Sequence, residues 1–499
     1  MPIRKLKEHF DEINKLRNIR ALLNWDQQIY MPNGSNRIRS EQIALIQGLI
    51  HDKLISYKTT KLLEHSRKDN NLDLIEQAYL REAMKEYEIA IKVPNRLIKR
   101  MAKAASLGQQ AWEKAKNENN FTIFQPYLEK IVEIKREYAK KLDSGSTLYD
   151  SLIDLYEPGI SSEWLTPIFD TLKQNIIEIL KKIKSSKEQA DKSILSKYYD
   201  PHKQLKFVLE LLGKLEFNFN IGRLDKSMHP FTSNISSMDT RITTSINENY
   251  LPAGIFGTLH EYGHALYDMN FMEEIRDTIL SDGASVGIHE AQSHLWERIG
   301  RSNYFWNYWY PILQKYFPEH LAKYPENEFY RSINTVQSSF IRVDADEVTY
   351  NLHIILRFEL EKEIINDNFP ISGLPELWNS KMEELLGIIP SDDCKGILQD
   401  VHWSEGIFGY FPSYILGNLY SAQIYFNMLQ KHSQIKDEIN NGQFNNLISY
   451  LKENIYQYGK IYRPDDLIKK ITGIPLNPLY FINYLKEKYF QIYKVPLKS

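Results

Sequence analysis

Residues Gly254–Asn270 read GIFGTLHEYGHALYDMN. Ile255, Phe256, Leu259, Leu266 and Tyr267 recur there at helical spacing, which predicts a buried helix. His260 and His264 stand four residues apart, so their rings leave one helix face a turn apart and can reach one ion. Glu261 completes an H-E-x-x-H pattern, in which the carboxylate can hold a water and take its proton. Polar rings on a buried helix need a partner. A shared metal ion supplies one better than the alternative of two satisfied surface histidines.

Helical periodicity dominates on both sides of this stretch. Apolar residues recur every three or four positions over Leu72–Ala104, Phe124–Leu142 and Leu165–Ile183. Pro94, Pro126 and Pro158 fall near expected boundaries, and residues 144–147 (SGST) and 157–159 (EPG) read as loops. Residues 223–250 differ: the β-branched run Arg241–Ile246 between Ser, Asn and Asp predicts a small sheet of two or three strands. Helices resume at about Ala253. With 22 Gly and 20 Pro, no repeat and no long linker, the chain is expected to be mainly α. The expected architecture is one large helical body over residues 1–499, with a small β-sheet beside the site.

Composition narrows the function. The 499 residues carry 62 Lys+Arg against 64 Asp+Glu, a net charge of −2, which argues against a bulk nucleic-acid binder. No run of about 18 apolar residues occurs, so no membrane-spanning helix is expected. Residues 1–18 lack the apolar stretch of a signal peptide, which makes the cytoplasm the expected address. Cys394 is the single cysteine, so an internal disulfide and a cysteine zinc cage are both excluded.

A catalytic zinc site takes three protein ligands and keeps one position open. Tyr267 and Asn270 stand where a metzincin extension needs Gly and His, so the third ligand comes from elsewhere. Glu273, Glu274, Asp282, His289, Glu290, His294 and Glu297 are the candidates. Residues 287–299 (GIHEAQSHLWERI) predict a second helix. Glu290, 26 residues beyond His264, has room for a loop and an antiparallel return, so the spacing favours it and leaves its neighbours open.

Six motifs then appear in order: His229–Phe231 (HPF), Asp239–Thr243 (DTRIT), His260–His264 (HEYGH), His289–Gln292 (HEAQ), Ile341–Asp346 (IRVDAD) and Gly396–Trp403 (GILQDVHW). With Asn24–Gln27, Tyr156–Gly159, Phe408–Pro412 and Thr472–Pro478, they run from about residue 20 to about 490. In these motifs the chain resembles the M32 metallocarboxypeptidases of the thermostable carboxypeptidase Taq type. One departure is Ala291, where relatives carry Ser or Gly. It leaves Glu290 untouched and removes a hydroxyl that some relatives have.

The resemblance implies Glu290 as third ligand and zinc or cobalt as the ion. It also implies a U-shaped helical molecule with the metal deep in a groove, a homodimer, and removal of single residues from peptide C-termini with broad side-chain tolerance. In that chemistry His260, His264 and Glu290 hold the metal, and Glu261 is the general base for a metal-activated water. A C-terminal exopeptidase must also bind a free carboxylate, which suits the planar fork of arginine. Arg342 and Arg241 sit in motifs and are the candidate clamps, with Arg342 favoured. His229 and His402 are either hydrogen-bond donors to substrate or packed histidines. Gln399 and Asp400 are placed to orient neighbours, and Gln399 also counts among the candidate substrate contacts. Tyr410 and Tyr414 could offer hydroxyls to substrate. Trp403 and His353 read as wall or core, and Cys394 as a bystander.

Two other functions compete. An H-E-x-x-H endo-oligopeptidase would share the metal and Glu261 without needing a carboxylate clamp. A non-catalytic peptide-binding protein braced by a metal would have no use for Glu261.

Overall fold

The computed structural model describes residues 2–496. The chain forms two compact units, each built from separated segments. The first takes the chain up to Ile91, then Asp191–Ile333 and Ile424–Pro475. The second takes Lys92–Ala190, Asn334–Gln423 and the chain from Leu476 onward. Both are mainly α, and among the described residues only one sheet occurs. No helix among them is long and apolar enough to cross a membrane.

The first unit carries the sheet. Strands β1 (Gly222–Lys226), β2 (Thr232–Ser236) and β3 (Asp239–Thr244) lie in the order β1-β3-β2. β3 pairs parallel with β1, Arg241 opposite Arg223, and antiparallel with β2, Thr232 opposite Ile242. The expected β-branched run is thus the central strand, and Thr240, Ile242, Thr243 and Thr244 are buried. Helix α1 (Pro252–Asp268) follows, opening on Pro252, whose fixed φ and missing N–H suit a first turn. The Thr258 hydroxyl donates to Thr244 at 2.9 Å, joining α1 to β3.

Helix α2 (Val286–Gly300) starts at Ser285, whose side chain accepts from the Ile288 amide at 3.1 Å. It packs on α1 at backbone contact. A Cβ on Gly263 would lie 2.6 Å from the carbonyl oxygen of Gln292 and from the Cα of Ser293, so only glycine fits. The Ser293 hydroxyl donates to the His260 carbonyl at 2.6 Å.

The second unit is built round helix α3 (Tyr350–Ile365). Leu352, Ile354, Ile355, Leu356, Phe358 and Leu360 are all buried, so this helix is enclosed on every side. His353 is fully buried on it, as the apolar pattern predicts. Helices Asn95–Asn117 and Phe121–Leu142 divide at residues 118–120, and Asn120 caps the second by accepting from the Thr122 amide. Pro126 falls inside that helix rather than at its boundary, because the helix begins at Phe121.

Candidate metal centre and carboxylate receptor

Four turns of two helices build the first site. α1 presents His260, Glu261, His264 and Asp268; α2 presents His289, Glu290, His294 and Glu297. Glu290 is buried, and its two oxygens face different rings. Oε1 lies 3.8 Å from His260 Nε2 and 3.3 Å from His294 Nε2; Oε2 lies 3.7 Å from His264 Nε2. Ligand atoms of His260, Glu290 and His294 all lie within 4.8 Å of one another.

The donor set fits a divalent ion. Ligands at about 2.1 Å in a tetrahedron lie about 3.4 Å apart, close to the separations from Glu290 to His294 (3.3 Å), His264 (3.7 Å) and His260 (3.8 Å). The far nitrogens of the two rings on α1 are already engaged. His260 Nδ1 is 2.8 Å from Glu297 Oε1, and His264 Nδ1 is 2.6 Å from His289 Nδ1. Each ring therefore turns Nε2 toward Glu290.

Glu261 is also buried, and its Oε2 accepts from the Thr232 hydroxyl at 2.6 Å. Burial pushes its carboxyl above the ordinary range. Thr232 was not found from the sequence, although it directly follows the His229–Phe231 motif. His229 itself is exposed.

Of the other sequence candidates for third ligand, His294 lies with His260 and Glu290 in one ligand-sized group, and the rest lie outside it. Glu273 and Glu274 are exposed, and Asp282 pairs with Lys460 at 2.6 Å. His289 and Glu297 hydrogen-bond the rings of His264 and His260. His294 stands beside Glu290, between its Oε1 and Glu297.

Arg241 is committed locally. Its Nε and Nη2 each meet an oxygen of Asp239 at 2.7 Å, and its guanidinium lies 4.3 Å from the Trp25 ring centre. This pair occupies the Nε–Nη2 edge of the guanidinium.

Arg342, in the second unit, differs in its charge count. It is buried; its Nε and Nη2 reach Asp400 Oδ1 at 3.1 and 2.9 Å. Arg357 Nε donates to the other oxygen, Oδ2, at 2.6 Å. Two guanidiniums share one carboxylate, so the hydrogen-bonded trio carries one net positive charge. Burial works against the Asp400 charge, but Arg357 and Arg342 outweigh it and hold the carboxyl well below its usual range.

Aromatic groups surround this cation. The Arg342 guanidinium lies 5.4 Å from the Tyr414 ring centre, and Nη1 donates to the Tyr350 hydroxyl at 3.2 Å. Tyr410 packs edge-on against Tyr414 at 5.2 Å. His402 lies beside them; burial first, then Arg342 and Arg357, push its pKa down to about 4. Its Nδ1 is buried with no hydrogen-bond partner among the described residues. Gln399 is a brace: its Oε1 accepts from the Arg342 amide at 2.8 Å and its Nε2 donates to the Phe340 carbonyl at 3.0 Å. Arg357 and Tyr350 lay outside the motifs and were missed.

The segment bearing His402 and Tyr410 is pinned from α3. Glu361, fully buried, accepts from Trp403 Nε1 and the Tyr149 hydroxyl at 2.8 Å and from the Gly409 amide at 2.9 Å. Gly409 has φ +81°, and a Cβ there would meet the Leu152 carbonyl carbon at 2.6 Å. Both facts demand glycine.

A glutamate beside a His–Glu–His cluster is the donor set that metal-dependent hydrolases use. Comparison with known proteins is more specific. The family model described as carboxypeptidase Taq (M32) metallopeptidase matches residues 5–489. The chain is 38% identical to carboxypeptidase 1 of Bacillus subtilis over 493 residues, and 36% identical to thermostable carboxypeptidase 1 of Thermus thermophilus over 504, covering 98% of each chain in both comparisons. The crystal structure of the M32 carboxypeptidase from Deinococcus radiodurans superposes with a TM-score of 0.96 at 32% identity, covering 99% of this chain and all of that one. The chain therefore belongs to the M32 family of metallocarboxypeptidases.

Proposed function

We propose that the protein releases single residues from peptide C-termini, with broad side-chain tolerance. His260, His264 and Glu290 would hold one zinc or cobalt ion. When bound, the ion supplies Lewis acidity to the scissile carbonyl and to water. Glu261 takes the proton from the attacking water and returns it to the leaving amine. Thr232 holds its Oε2, which leaves Oε1 for that proton. Arg342 receives the substrate's terminal carboxylate, with Tyr410, Tyr414 and His402 beside it.

The observation that carries this reading is the surplus cation of Arg342, Arg357 and Asp400. An endo-oligopeptidase has no use for a buried positive charge ringed by aromatics, whereas an exopeptidase needs one. The homodimer and the cytoplasmic address rest on the family resemblance and on the sequence, and are part of the same proposal.

The test is an N-blocked peptide and its C-amidated twin, incubated with metal-loaded protein and followed by mass spectrometry. Stepwise loss of single residues from the free acid alone is expected. Internal cuts in both would favour an endo-oligopeptidase, and cleavage of neither, with one equivalent of metal bound, would turn the reading to a binding protein. Glu261→Gln should keep its metal and lose on the order of 10²–10⁴ in turnover.

A further inference from the structure

His260, His264 and Asp268 follow one another at four-residue intervals along one face of α1. Between the last two stands His289 of α2. Its Nδ1 is 2.6 Å from His264 Nδ1, and its Nε2 is 3.0 Å from Asp268 Oδ1. With His264 as a ligand through Nε2, these contacts admit one arrangement of protons. A histidine that ligates through Nε2 carries its proton on Nδ1. His264 Nδ1–H then donates to His289 Nδ1, which must be bare. His289 consequently carries its proton on Nε2 and donates it to Asp268. Asp268 is buried and also hydrogen-bonds the Asn234 side chain of β2.

The surroundings hold this arrangement rigid. A Cβ on Gly283 would lie 2.9 Å from His289 Cβ and 3.0 Å from its Cδ2, so the loop before α2 closes directly on the ring. The Tyr267 ring centre lies 5.5 Å from that of His289. His260 reaches its carboxylate, Glu297, without an intermediary. The two rings of the H-E-x-x-H pattern are thus oriented by different devices, one direct and one relayed.

We propose that His289 and Asp268 are positioning residues that fix the Nδ1–H tautomer of His264 through an imidazole–carboxylate relay. The inference rests on the proposed ligand role of His264. Groups that orient ligand rings commonly affect metal affinity by about 10–100-fold, and His289 acts in that way rather than by touching substrate.

The experiment measures the dissociation constant of Zn²⁺ by chelator competition for the full chain and three variants. His289→Leu removes the acceptor for His264 and should weaken Zn²⁺ binding by about 10–100-fold. His289→Gln keeps an acceptor in its amide oxygen and should restore most of that loss. Asp268→Asn, which holds His289 less firmly, should fall between them. A Leu variant that binds within twofold of the wild type overturns the proposal, as does a Gln variant as weak as the Leu variant. If His289→Leu does not fold, Asp268→Asn decides: unchanged affinity overturns the relay. In ¹⁵N-histidine-labelled, zinc-loaded wild type, His289 should be protonated at Nε2 alone, and any other tautomer overturns it. Wild-type protein that binds neither Zn²⁺ nor Co²⁺ refutes the metal reading itself, an outcome distinct from all of these.

Discussion

Gly263 and Ser293 meet so closely that a Cβ on the first would lie 2.6 Å from the Cα of the second. This contact sets the spacing between the helix that bears His260 and His264 and the helix that bears Glu290. Gly263→Ala forces the helices apart, and overpacking of this kind costs about 1–3 kcal/mol. The expected result is a lower Tm together with weaker Zn²⁺ binding, measured by thermal melts with and without metal. A variant whose metal affinity is unchanged would show that the spacing does not govern the site.

His264 and His294 face opposite oxygens of Glu290, and they should not be equivalent. His264→Ala is expected to abolish Zn²⁺ binding at micromolar metal. His294→Ala should retain stoichiometric metal, with affinity reduced by the loss of a neighbour to Glu290 Oε1. Metal content after gel filtration distinguishes them, and the reverse ranking would move the ligand set to His260, Glu290 and His294.

Asp400 neutralises one of two buried guanidiniums. Removing one partner of a buried ion pair costs about 3–5 kcal/mol, so Asp400→Asn should lose stability of that order in urea denaturation. Arg342→Met leaves Asp400 paired with Arg357 and should fold. Its kcat/KM on the free-acid peptide should fall by about 10²-fold, the worth of roughly 2.7 kcal/mol. A variant that still prefers the free acid over the amide would place the carboxylate receptor elsewhere.

His402 gives the pH dependence a sign. Its folded pKa is pushed down to about 4, below the ordinary 6.5, because burial and the two arginines oppose its charge. The stability contributed by its neutral form is fully present above pH 6.5 and is lost as pH falls toward 4. His402→Gln should therefore flatten the fall in Tm between pH 6.5 and 4. Parallel curves for variant and wild type would refute this.

The sequence showed some of these features plainly and concealed others. Helical periodicity, the sparse glycine and the β-branched run around Ile242 carry the fold class, because each is a local pattern. The H-E-x-x-H spacing places two rings on one face for the same reason. Thr232, Asp268 and Arg357 could not be read this way: their roles depend on which segments the tertiary fold brings together. Asp268 has a faint signal in its four-residue step from His264, and Glu297 in its seven-residue step from Glu290. The ion pair of Arg241 was equally hidden: Asp239, two residues earlier on the same strand, meets its Nε and Nη2.

The interleaving of the two units constrains how the chain can mature on the ribosome. The first unit includes Ile424–Pro475, whose Leu447, Ile448, Leu451 and Ile468 are buried. A nascent chain that has just delivered the metal-site helices, ending at Gly300, still lacks that packing. The histidines and carboxylates of the site are thus synthesised about 175 residues before the unit that houses them can close. No single truncation yields either unit whole, so each is an assembly step of the other's synthesis rather than a module that evolution or an engineer could excise by one cut.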